Sequence, residues 1–171
     1  QTHVMLGNRA YPLGDERQLT LYLLNNILGG GSLNSRLNLS LRESRGLVYS
    51  IESTYTPLSD TGYWCVYFAC EPEYFERCLD LTKQELAHLC SKPLSDSALR
   101  NALVQLRGQM AISAENQENN ALSMAKSVLY HNVAPTWEET FARVSQTTPA
   151  DLLSAAQDVL SPDTLFLLTY C

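Results

Sequence analysis

Apolar positions fall along the chain in short blocks whose spacing switches between two residues and three or four. Thr2 to Leu6 is a short apolar run and predicts a strand. From Asp15 the spacing turns helical: Leu19, Leu23, Leu24, Ile27 and Leu28 fall on one stripe. Asp15 and Gln18 are spaced as a capping box, and Gly29, Gly30 and Gly31 supply the stop. Leu33, Leu37 and Leu41, four residues apart, predict a second short helix closed by Gly46. Leu47, Tyr49, Ile51 and Tyr55 then alternate with Ser50, Glu52 and Thr54, the period of a half-buried strand. A turn over 57–62 leads into Tyr63 to Cys70, almost wholly apolar and aromatic, which reads as a central strand hairpin-paired to the one before it.

The rest of the pattern is helical until its end. One helix begins near Pro72 and carries Phe75, Cys78, Leu79, Leu86 and Leu89; another starts at Ser95 with Leu99, Leu103, Leu106 and Met110 inward. The polar stretch Glu115 to Asn120 marks a junction before a helix with Ala121, Leu122, Ala125, Val128 and Leu129. Thr136 with Glu139 forms a capping box, and Thr148 before Pro149 is an N-cap with proline at the first helical position. Leu165 to Tyr170 is the closing strand, and none of the seven prolines interrupts a helical pattern. Strands at both ends, a hairpin between and helices elsewhere predict an α+β fold. It is a two-layer sandwich, a mostly antiparallel sheet of four or more strands covered by helices on one face.

Composition narrows the function classes. With 171 residues, 12 Lys and Arg against 18 Asp and Glu, and a net charge of −6, the chain is long enough for one core and lacks the basic balance of a nucleic-acid binder. Its longest uncharged apolar runs, Gly62 to Cys70 and Thr164 to Cys171, are far shorter than a membrane helix and read as buried strands. The chain opens at Gln1 without a signal-like segment and reads as a cut piece or a mature product. Five cysteines, Cys65, Cys70, Cys78, Cys90 and Cys171, form no C-x-x-C pair and read as buried free thiols, with one disulfide still open. The compartment, cytoplasmic or periplasmic, stays open with it.

A search for chemistry finds little. His3, His88 and His131 lie far apart, in no metal-binding spacing, and read as structural histidines. There is no G-x-S-x-G elbow. Gly29 to Ser32 follows a helix and lacks the lysine of a phosphate loop, so it reads as a helix end. One segment stands out, Leu41 to Tyr49, L-R-E-S-R-G-L-V-Y. It sets Arg42 at the end of a short helix and Tyr49 on the next strand, across a glycine turn. A guanidinium can donate to carbonyl oxygens and a phenol to a developing oxyanion. Two plainer readings stand beside this: Arg42 as a helix-terminal cation, and Tyr49, of the same parity as Leu47 and Ile51, as core.

The stretch Leu24 to Ile51, L-N-N-I-L-G-G-G-S-L-N-S-R-L-N-L-S-L-R-E-S-R-G-L-V-Y-S-I, resembles the C-terminal, non-metal-binding domain of the pitrilysin/insulinase family of zinc metallopeptidases. That family includes the mitochondrial processing peptidases and bacterial two-domain relatives. The likeness extends over nearly the whole chain, with R-E-x-x-G-L-x-Y its most specific part. In the family a catalytic half carries H-x-x-E-H and a downstream glutamate. Two histidines and that glutamate hold zinc, and the motif glutamate is the base for the metal-bound water. This sequence has no such motif. The resemblance therefore implies residues 1–171 as one domain, the C-terminal half of a longer two-domain chain, with zinc expected in a partner domain or second subunit. It implies a substrate-binding half of a zinc-dependent endopeptidase that works in a closed chamber. There Arg42 binds a backbone carbonyl of the peptide substrate, and Tyr49 orients the peptide and stabilises the tetrahedral intermediate. The chain alone is expected to cleave nothing. The alternative is a non-catalytic scaffold subunit of a heterodimeric complex, distinguished by the absence of H-x-x-E-H from the parent.

Overall fold

A computed structural model describes residues 1–31 and 33–170; Ser32, Cys171 and the side chain of His131 lie outside the described residues. Among the described residues four strands, β1 (Thr2–Ala10), β2 (Val48–Pro57), β3 (Gly62–Cys70) and β4 (Phe166–Tyr170), form one antiparallel sheet in the order β2-β3-β1-β4. The helices are α1 (Gln18–Gly29), α2 (Phe75–Ser91), α3 (Asp96–Glu115), α4 (Gln117–His131), α5 (Trp137–Val144) and α6 (Pro149–Val159). A short π-helical segment, Asn38–Glu43, precedes β2, and a 3-10 turn, Pro72–Tyr74, leads into α2. The expected α+β architecture is the one observed, with β1 running four residues further than the apolar run indicated.

Strand alternation sends Val4 and Leu6 of β1, and Trp64, Val66 and Phe68 of β3, into the helical layer, where all are buried. Leu21, Leu23, Leu24 and Leu28 of α1, Leu79 and Leu86 of α2, and Leu152 and Val159 of α6 meet them in one continuous core. α1 is pinned to the sheet by a buried polar chain: Trp64 Nε1 donates to Ser53 Oγ (2.9 Å), which donates to Asn25 Oδ1 (2.6 Å). Gly29 ends α1 because the helix closes directly on β2. A Cβ there would lie 2.6 Å from the Ser53 Cβ and 2.9 Å from its backbone nitrogen. The capping box expected at Thr136 and the N-cap expected at Thr148 are both formed, and Thr148 goes further by closing a capping box of its own with Asp151.

Four local expectations are corrected. The Asp15–Gln18 box does not form, because the Arg17 backbone N–H and guanidinium both donate to the Asp15 carboxylate. Arg17 becomes an N-cap without a side-chain cap, and Gln18 reaches the Gly14 N–H instead. Leu33 is exposed, while Leu37, at the N-cap of the π-helical segment, and Leu41 within it are buried. The junction 115–120 is a single residue, Asn116, which caps α4. The run from Thr164 is not a buried strand: all five residues of β4 are exposed, because β4 is an edge strand in substantial contact with β1 alone. α4 likewise leans chiefly on α3, leaving Leu122, Val128 and Leu129 exposed.

Candidate functional site

Arg42 and Tyr49 flank the turn that enters β2. The π-helical segment buries Leu41 and leaves Arg42 in its last turn with 46% of its side chain exposed. Gly46, at φ +61, reverses the chain, a conformation that suits glycine. Its N–H donates to the Arg42 carbonyl (2.8 Å), and Leu47 N–H donates to the Leu41 carbonyl (3.0 Å). The backbone of Arg42 is thus locked to the start of the strand that carries Tyr49.

Strict alternation would turn Tyr49 inward with Leu47 and Ile51. A β-bulge prevents it: Val48 pairs with Cys70 and Ser50 with Ala69, leaving Tyr49 as the extra residue. Val48 and Ile51 stay buried, while Tyr49 is 56% exposed beside exposed Ser50. The core reading of Tyr49 is therefore incorrect, and the reason is one additional residue in the strand.

The Tyr49 hydroxyl donates a hydrogen bond to Glu71 Oε1, and this bond to a carboxylate raises the phenol above its ordinary pKa. Glu71 directly follows β3 and leads into the 3-10 turn at Pro72. Sequence reading missed Glu71, although the hairpin register that pairs Ile51 with Phe68 already sets 49 opposite the end of β3. The Arg42 guanidinium approaches Glu43 at 3.9 Å, too far for a hydrogen bond, so among the described residues no carboxylate occupies its donors. The site therefore presents an open guanidinium and a phenol already donating to an anionic oxygen.

The remaining candidates are accounted for elsewhere. His3 Nδ1 is hydrogen-bonded to the Tyr67 hydroxyl (2.8 Å), and His88 is exposed on α2. Cys70 and Cys78 are buried free thiols, while Cys65 and Cys90 are half-buried. Among the described residues, no group of three or more His, Cys, Asp or Glu is placed to hold a metal, so these side chains do not fit a zinc site. No helix among them is long and apolar enough to cross a membrane.

Residues 1–106 match the family described as the peptidase M16 inactive domain. The chain is 34% identical over 160 residues to an uncharacterized zinc protease of Streptomyces coelicolor, covering 94% of this chain and 35% of that protein. It is 30% identical over 139 residues to the uncharacterized zinc protease YmxG of Bacillus subtilis, covering 81% of this chain and 34% of that one. The fold matches the peptidase M16 inactive domain from Pseudomonas fluorescens, with TM-score 0.83, 23% identity and coverage of 98% of this chain and 40% of that one. It also matches an inactive peptidase domain from Bordetella parapertussis, with TM-score 0.81, 18% identity and coverage of 99% and 92%. The fold and the family match thus define an inactive domain of a zinc-protease family. The chain belongs to the peptidase M16 family, as an inactive domain of it. It spans about a third of the length of the curated relatives it matches.

Proposed function

We propose that this chain is the substrate-holding half of a zinc-dependent endopeptidase, the C-terminal half of a two-domain polypeptide or one subunit of a pair. In this reading its zinc-bearing partner domain or subunit faces Arg42 and Tyr49 across a closed chamber. Arg42 donates to a backbone carbonyl of the peptide, and Tyr49 donates to the oxyanion of the tetrahedral intermediate. The observation that carries this is the bulge at Tyr49, which turns a phenol outward between the buried Val48 and Ile51 of the same strand. Its present acceptor, the Glu71 carboxylate, is an anionic oxygen of the same kind as an oxyanion. A phenol has one proton to donate, so the substrate must displace Glu71 for the donation to pass to the oxyanion.

Loss of one oxyanion donor costs about 10²–10³ in rate. Tyr49→Phe in the assembled enzyme is expected to lower kcat by about that factor with KM little changed, read from steady-state peptide cleavage. Unchanged turnover would overturn the role given to Tyr49 and favour a scaffold.

A further inference from the structure

The sheet face turned away from the helices is not flat. Cross-strand register lines up its outward side chains in rows. The row through Gly7 reads Thr54, Cys65, Gly7, Phe166: two small side chains, none, then a large ring. On one side stands the row Glu52, Tyr67, Met5; on the other stand Tyr63 and Arg9. The result is a trench with a low floor between two tall walls, closed at one end by Phe166. Its cavity volume of about 760 Å³ lies within the ~300–1,000 Å³ usual for small-molecule sites.

We propose that this trench is a side-chain subsite for an aromatic residue of an extended peptide. The assignment rests on the reading of the chain as a substrate-holding half, and it names what that half selects. Three observations carry it. The trench is walled by two tyrosines, Tyr63 and Tyr67, with the Cys65 thiol between them on the floor. Burial and the nearby Glu52 carboxylate push that thiol's pKa up, so the floor stays neutral. Glu52 and Arg9 sit at diagonally opposite corners, and neither is ion-paired among the described residues, so the opposing charges favour a neutral occupant over a cation or anion. The trench also lies on the face that carries Tyr49. From Ser50, beside Tyr49, to Thr54 is four residues, about 13 Å of extended chain. Residues four apart in an extended peptide share a face. A peptide lying along the sheet from Tyr49 therefore presents its fourth neighbour to the trench.

The test uses the 171-residue chain, which has its own continuous core and is nearly co-extensive with the solved Bordetella parapertussis domain. The probes are acetyl-Gly-Ser-Gly-Phe-Gly-Ser-Gly-amide and the same peptide with Ala for Phe, titrated while backbone amide shifts are followed by NMR. The Phe probe is expected to shift the amides of Gly7, Thr54 and Cys65 and to bind at least about tenfold more tightly than the Ala probe. Cys65→Phe, which fills the floor, and Tyr63→Ala, which removes a wall, are each expected to erase that preference. Equal binding of the two probes by the unaltered chain overturns the proposal. So do shifts that map elsewhere, or shifts at these amides that depend on protein concentration without peptide, which would make the face a self-association surface. Neither probe reports cleavage, so the two readings fail separately. Full turnover by Tyr49→Phe would remove the clamp and leave the trench; equal probe binding would remove the trench and leave the clamp.

Discussion

On β3, Trp64, Val66 and Phe68 point into the helical layer and are fully buried, while Tyr63, Cys65 and Tyr67 point the other way and remain open to varying degrees. The same strands thus build two unlike surfaces. The covered face is filled to contact, with the Trp64 indole satisfied by Ser53 and Gly29 leaving no room for a methyl group. The open face is recessed at Gly7 and carries both a carboxylate and a guanidinium at its margins. The first surface holds the fold together; the second has no helices packed on it and is the face to which the proposed subsite belongs.

A matched pair of truncations on neighbouring residues separates the two faces most strongly. Trp64→Ala is expected to cost about 3–5 kcal/mol through the cavity it leaves, whereas Tyr63→Ala should stay within about 0.5 kcal/mol. Urea unfolding of both variants measures the difference, and equal costs would show that the open face is as load-sharing as the covered one. Gly29→Ala tests how tightly the covered face is closed. Its methyl group would press on the Ser53 backbone, and an overpacking cost of about 1–3 kcal/mol is expected by the same measurement.

The smallest effect belongs to the helix cap at Thr148, away from both faces. The Thr148 hydroxyl and N–H donate to the Asp151 carboxylate and hold its pKa below the usual value. The folded state then binds this proton less readily than the unfolded state. The resulting stability is present above the ordinary carboxylate pKa of about 3.9 and is lost as the pH falls through the lower folded-state value. Asp151→Asn should therefore flatten the acid limb of a melting-temperature profile below about pH 4 and leave its shape near pH 7 alone. An unchanged acid limb would mean that the cap carries no pH-linked stability.

Much of the fold was legible because its signals are local. Proline and capping residues set the starts of α5 and α6, and the run Tyr63 to Cys70 could only be a central strand. What escaped depended on tertiary context. Asp15 was captured by Arg17, which also lies over the Tyr11 ring and so belongs to a different packing unit from the expected cap. The apolar pattern of β4 resembles that of a buried strand, and nothing in it records that β4 lies at the sheet edge. Within the site, the spacing of Arg42 and Tyr49 was visible, but the exposure of Tyr49 was not, since one bulge reverses the meaning of parity. Glu71 lies 22 residues further along and becomes a partner only once the hairpin register is fixed, which the alternation of the two strands alone does not do.

The bulge has an implication for how such a site can come and go in evolution. Without Tyr49, Val48, Ser50 and Ile51 would follow one another as in, out, in, the unbroken rhythm of an ordinary strand. The phenol thus occupies an extra position in a strand whose in-and-out pattern is complete without it. Loss of a single codon would erase the phenol while every core side chain kept its orientation. The phenol is therefore separable from the core, and its removal asks for no redesign of the protein around it.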